Sequence, residues 1–336
     1  MGTGAVKGPV HTIRRILNVL WFWAGATRAA FSSASMVPVA LGGAVAASHG
    51  FFATGPFLLS AAGVLAMHLG ANLVNDYYDF ASGADVIRDD RTPFYGGGTI
   101  LVDGTLAPRQ VSRAYRALFA TAILISVLLA VSRGPAVIAL GLAGFFCGYF
   151  YTAPPLRLSY IGLGEATIGL SFGPLTVISV YYVLARRLDA NALEALAASL
   201  PVGLLVAAIV FVNEFPDRAA DGACGKRTLV VRLPLWAATA GYTALVLAPF
   251  AIIAAAIRLG WLPRATALAH LAAPLALLGV HNLRAAYGLS ASHRTAAASG
   301  GYVASRQVAA SLSTILLHLA VGLLLSLGFI LGPPAA

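Results

Sequence analysis

The chain has 336 residues, of which 59% are hydrophobic and only 10% are charged, with a mean hydropathy of +0.83. A soluble domain carries about 25% charged residues, so a soluble globular fold of this size is excluded. The net charge of +10 comes from short segments between apolar runs, so it reads as topology-determining charge facing anionic lipid and not as a nucleic-acid surface.

In chain order, residues 1–29 read as a cytoplasmic arm and an interfacial helix. Arg14, Arg15 and Arg28 face headgroups there, and Trp21 and Trp23 sit at the boundary. A bilayer-crossing helix needs about 20 mainly apolar residues. Such runs fall at 30–48, 55–80, 111–131, 135–152, 162–185, 192–214, 235–257, 265–287 and 307–331. This predicts an all-α polytopic membrane protein of about nine transmembrane helices. Residues 30–336 form one transmembrane domain. Only Ser132-Arg133-Gly134 joins the third and fourth spans, Pro154 and Pro155 stop the fourth, and Pro201 falls in the first turns of the sixth. Cys147 lies in an apolar run and Cys224 in a polar loop, which argues against a disulfide.

Alternate loops of a nine-span chain fall on opposite sides. Arg133, Arg186, Arg187, Arg258 and Arg264 fall on one side, and the other 17 Lys and Arg on the opposite side. The positive-inside rule assigns the larger set to the cytoplasm.

Two polar stretches close even-numbered spans on that side, NDYYD at 75–79 and NEFPD at 213–217. Asn75 and Asp79 recur 138 residues later as Asn213 and Asp217. The offset suggests two pseudo-repeated halves, about 30–152 and 162–287, around a central cavity, with 307–331 as an added last helix. Positions i and i+4 share a helix face, so Asn75 points with Asp79, Asn213 with Asp217, and Asp217 with Asp221. Asp76 is within one turn of Asp79, and Asp85 lies just past the helix end after Gly83. Clustered carboxylates repel unless a cation sits among them. Oxygen ligation by Asp and Asn, without His or Cys, suits Mg²⁺, which prefers one or two carboxylates plus phosphate oxygens. The candidate metal ligands are therefore Asn75, Asp76, Asp79, Asp85, Asn213, Asp217 and Asp221. Two such clusters across a gap suit a diphosphate held by two Mg²⁺. Helix-end acids paired with Arg88, Arg91 or Arg218 are the competing reading, and repetition of the whole constellation weighs against it. In the flanking loops, Lys226 and Arg227 follow the flexible Gly225, and Arg91-Thr92 repeats as Arg227-Thr228. These cations are placed to hold a diphosphate. Asp79, Asp217, Asp221 and Lys226 are the catalytic candidates, and Arg91 and Arg227 the diphosphate binders. The glycines at 96–98 are not followed by Gly-Lys-Ser/Thr, so they are not read as a nucleotide loop.

NLVNDYYDFASGAD (72–85) and NEFPDRAADGACGKRTLVVRL (213–233) resemble the two aspartate-rich motifs of the UbiA superfamily of intramembrane prenyltransferases. YTAPPLRLSYIGLGE (151–165) and the second motif resemble most the branch that prenylates 1,4-dihydroxy-2-naphthoate for menaquinone. There is one departure, where Gly83 stands at the place of a third Asp and Asp85 follows two residues later. The naphthoate branch tolerates this form. The resemblance implies Mg²⁺-dependent transfer of a polyprenyl group from polyprenyl diphosphate to an aromatic acceptor. It places the site at the cytoplasmic face of a bacterial-type cytoplasmic membrane, with the tail among the helices and Tyr151 and Arg157 assigned to substrate. Another phenol or a glycerol phosphate lipid as acceptor stays open, as does an intramembrane terpene cyclase. A cation transporter is a different class, but its acids tend toward the midplane.

Overall fold

The computed structural model describes residues 9–87, 98–287 and 300–332. Among these the regular structure is helical, as α1 (Pro9–Ala26), α2 (Ser33–Ser48), α3 (Thr54–Ser82), α4 (Pro108–Arg133), α5 (Ala136–Phe150), α6 (Gly164–Leu170), α7 (Thr176–Ala185), α8 (Asn191–Ala223), α9 (Leu229–Arg232), α10 (Leu235–Arg258), α11 (Ala273–Tyr287) and α12 (Gly300–Leu331). Among the described residues, eight helical stretches are long and apolar enough to cross a membrane. The 135–152 run forms a helix of only 15 residues, about 22 Å long and short of the roughly 30 Å hydrocarbon layer. The expected count of nine therefore resolves into eight full-length candidates and one short apolar helix, in the expected order.

α3 has 29 residues and α8 has 33, both longer than a bilayer requires. Their C-terminal turns are where the polar pentapeptides lie. Pro201 lies well inside α8, which begins at Asn191 and also runs through Pro216. α8 begins at Asn191 against Thr54 for α3, and α11 at Ala273 against Ala136 for α5, a spacing of 137 residues in both cases.

Among the described residues, three apolar clusters organise the bundle, the smallest of them Leu129, Val137 and Val183 of α4, α5 and α7. The largest joins α2, α7, α8, α10, α11 and α12 around fully buried Leu41, Leu205, Tyr242, Leu317 and Phe329. The second joins α3, α4 and α5 through Leu73, Tyr115 and Phe119. Between α6 and α7 the chain makes a π-turn, Ser171–Leu175. It packs backbone to backbone on α8. A Cβ at Gly173 would come within 2.7 Å of the Gly203 Cα, so only glycine permits this approach. Neither Cys147 nor Cys224 forms a disulfide.

Candidate active site

The last turns of α3 carry Asn75 and Asp79 on one face. The Asn75 amide nitrogen donates to Asp79 Oδ2 at 3.1 Å, which leaves its carbonyl oxygen as the remaining ligating atom. Asp79 is engaged at both carboxylate oxygens. Its Oδ1 accepts from the Tyr160 hydroxyl at 2.9 Å and its Oδ2 from Lys226 Nζ at 2.9 Å. Burial, and then the Asp79 charge, raises the Tyr160 phenol well above its ordinary range, so Tyr160 acts as a donor. α3 ends at Gly83, whose φ of 83° is the left-handed cap that lets the chain turn away.

α8 supplies the facing wall with Asn213, Glu214, Asp217 and Asp221. Asn213 Oδ1 accepts from Ser311 Oγ of α12 at 2.7 Å, which fixes its amide plane. After α8 a tight turn through Gly225, with φ of 76°, brings the chain back so that the Lys226 N–H donates to the Asp221 carbonyl at 2.8 Å. The Lys226 ammonium then lies 2.9 Å from Asp79 and 3.9 Å from Asp221. The side chains of Lys226 and Asp79 are only 11% and 4% exposed. One buried cation thus bridges the two helices and offsets the repulsion between their acids.

Asn75, Asp79, Asn213, Asp217, Asp221, Lys226 and Tyr151 line a single cavity of about 370 Å³. Its α3 wall runs from Ser60 to Asp79, about 28 Å at helical rise. Beyond the polar head the lining is largely apolar, with Ile125, Leu129, Val137 and Val183 in its far part.

The remaining expected residues lie elsewhere. Asp76 is buried and pairs with Arg28, one residue round the helix from the Asn75–Asp79 stripe. Gly98 closes over it, since a Cβ there would collide with the Asp76 carboxylate. Asp85 is buried and is not part of the cavity lining. Arg157 is exposed, 5.4 Å from the Tyr160 ring centroid. Arg227 is exposed too, and its backbone N–H is tied to the Tyr160 carbonyl at 3.1 Å. Arg218 donates to the Val230 and Leu233 carbonyls. Arg88 and Arg91 lie outside the described residues, as do the side chains of Arg14 and Arg15.

Glu214, Glu165 and Tyr160 were not singled out in the sequence, and Arg28, expected to face headgroups, instead pairs with Asp76 and lines the cavity. Glu214 lies between Asn213 and Asp217 and lines the cavity. Its carboxyl meets that of Glu165, whose Oε1 accepts from the Leu229 N–H at 2.8 Å. Arg28 holds a left-handed backbone with φ of 52°, and a non-glycine residue there often marks a functional constraint. Glu214 and Glu165 were visible as acids next to quoted motifs. Nothing local signalled Tyr160 or the pairing of Arg28 with Asp76.

Among the described residues, no three His, Cys, Asp or Glu side chains gather closely enough to hold a metal alone. The cavity donors are carboxylate and amide oxygens on two facing helices. That set fits Mg²⁺, which binds a few protein oxygens and completes its shell with water and phosphate.

Residues 35–301 match the family described as the UbiA prenyltransferase family. The chain belongs to that family. As a UbiA-family protein it is 28% identical over 214 residues to the 1,4-dihydroxy-2-naphthoate octaprenyltransferase of Bacillus subtilis, covering 64% of this chain and 65% of that one. It is 34% identical over 260 residues to UbiA prenyltransferase domain-containing protein 1 of Gallus gallus, covering 75% and 72%. The match to the Bacillus protein spans slightly under two thirds of its length. The fold is similar to that of a UbiA homologue from Archaeoglobus fulgidus solved with DMAPP and Mg²⁺, at 15% identity and a TM-score of 0.57, covering 89% of this chain and 98% of that one.

Proposed function

We propose that this UbiA-family chain transfers a polyprenyl group from polyprenyl diphosphate to an aromatic acceptor, 1,4-dihydroxy-2-naphthoate, as a membrane enzyme of menaquinone biosynthesis. The observation that carries this reading is one cavity with two facing amide-carboxylate clusters at its head and an apolar channel behind them. The head suits a charged leaving group and the channel suits a hydrocarbon tail. The acceptor assignment draws on the naphthoate prenyltransferase named among its relatives.

In this reading Asn75, Asp79, Asn213, Asp217 and Asp221 hold two Mg²⁺ ions at the cytoplasmic end, where bound metal neutralises the diphosphate and stabilises its departure. Lys226 adds a fixed positive charge beside those oxygens and is positioned by Asp79, Asp221 and the Gly225 turn. Tyr160 holds the Asp79 carboxylate in place. Arg227 and Arg91 serve as further diphosphate cations, and Arg157 contributes to substrate binding. Tyr151 presents a π face inside the cavity, suited to an allylic cation. The apolar walls from α3, α5 and α7 keep water from that cation. Residues 1–29 remain a cytoplasmic arm and interfacial helix, and 30–336 one catalytic domain.

The test is product analysis by mass spectrometry. Purified protein is given prenyl diphosphates of several lengths with dihydroxynaphthoate, 4-hydroxybenzoate or no acceptor. Prenylated naphthoquinol is the expected product. Prenylated hydroxybenzoate alone would overturn the acceptor, and a cyclised hydrocarbon without acceptor would overturn the transferase reading.

A further inference from the structure

Partway down the cavity the pattern of satisfied polar groups breaks. Ser60, Ser126 and Ser179 line the wall, and each hydroxyl donates to a carbonyl one turn earlier in its own helix. His68 and Ser171 line the same cavity and do not follow suit. Among the described residues, neither ring nitrogen of His68 has a hydrogen-bond partner, nor does the buried Ser171 Oγ. His68 is only 7% exposed. Buried polar atoms in native proteins are almost always partnered by protein, water or ligand.

The two residues belong to one place. The His68 ring meets Phe172, the neighbour of Ser171, edge-on with centroids 5.4 Å apart. Ser171 opens the π-turn between α6 and α7, an irregularity that recurs at functional sites. The close approach of Gly173 to Gly203 anchors that turn on α8. His68 lies seven residues before Asn75 on α3, about 10 Å nearer the membrane interior at helical rise.

We propose that His68 and Ser171 form a polar station that binds an oxygen of the aromatic acceptor, remote from the diphosphate. This rests on the prenyl-transfer reading above. An imidazole presents one donor and one acceptor nitrogen, and a serine hydroxyl presents both functions. A phenolic hydroxyl, which also donates and accepts, completes this set. A prenyl tail offers the station nothing, and a carboxylate offers only acceptors. An aromatic diol with its reacting carbon near Asn75 carries its far oxygen toward His68.

The experiment compares wild type with His68→Leu, His68→Gln and Ser171→Ala. The readouts are KM for dihydroxynaphthoate, KM for the prenyl diphosphate, and the competitive inhibition constant of 1-hydroxy-2-naphthoate, which lacks the second hydroxyl. His68→Leu is expected to raise the acceptor KM about tenfold or more, with the prenyl diphosphate KM unchanged. Its inhibition constant for the one-hydroxyl analogue stays at the wild-type value, and His68→Gln recovers most of the loss. Ser171→Ala shows the same pattern at smaller size and serves if His68→Leu does not fold. Equal weakening toward diol and analogue would overturn the station, as would a change confined to the prenyl diphosphate KM. No change at all would mean that the station holds only water. Wild-type protein that prenylates no aromatic acceptor would remove the functional reading itself, and the station with it.

Discussion

Replacing Lys226 with methionine keeps the length of the side chain and removes its charge. In the structure that charge lies 2.9 Å from Asp79 and 3.9 Å from Asp221, so the variant leaves two buried carboxylates facing each other with their bridging cation gone. Removing one partner of a buried pair costs about 3–5 kcal/mol. The longer Asp221 distance and the open cavity put the expected loss at the lower end, roughly 3 kcal/mol. The ammonium also competes for the oxygens that a metal would use. Added Mg²⁺ should therefore raise the melting temperature of Lys226→Met more than that of wild type, by linkage of binding to folding. Thermal unfolding of detergent-purified protein in EDTA and in Mg²⁺ measures both effects. A variant as stable as wild type in EDTA, with the same response to Mg²⁺, would refute the claim that Lys226 offsets the repulsion between Asp79 and Asp221.

Asp79→Ala and Asp217→Ala should each lower turnover at least about a hundredfold, the scale for losing a principal electrostatic stabiliser. The double variant should be scarcely worse, since groups acting as a unit are non-additive. Asn75→Ala, which removes a neutral ligand, should cost less than either, and steady-state kinetics on monodisperse protein ranks the three. Chelation by EDTA should abolish turnover, and Mg²⁺ should restore it. Cysteines placed in 85–108 and 218–232 should label from the cytoplasm, and those in 49–53 and 187–190 from the opposite side. Leucine at Gly203 should disrupt the seating of the π-turn on α8, where even a Cβ meets Gly173 Cα at 3.1 Å, and lower the melting temperature measurably.

Hydropathy made the helical spans legible because membrane helices must satisfy their own backbone and show lipid an apolar surface. The exception was α5, where the apolar run 135–152 is longer than its 15-residue helix. The i,i+4 rule grouped Asn75 with Asp79, and Asn213 with Asp217 and Asp221, and all five line one cavity. It could not assign Asp76. That residue is three positions from Asp79, yet its carboxylate pairs with the long-range partner Arg28 and is not part of the cavity lining. Tyr160 and Lys226 approach Asp79 across 81 and 147 residues of sequence, so the local pattern that marked Lys226 as a site cation gave no sign of its contact with Asp79. His68 reads as one more residue in an apolar run, and only the shape of the cavity reveals its missing partners.

The central claim is that the clusters on α3 and α8 form one metal-diphosphate site. Equilibrium binding of an unreactive prenyl thiodiphosphate to wild type, Asp79→Ala and Asp217→Ala, each with and without Mg²⁺, tests it most directly. Wild type should bind tightly only with Mg²⁺, and both variants should lose that metal-dependent binding. Binding that ignores Mg²⁺, or that survives Asp217→Ala unchanged, would contradict it.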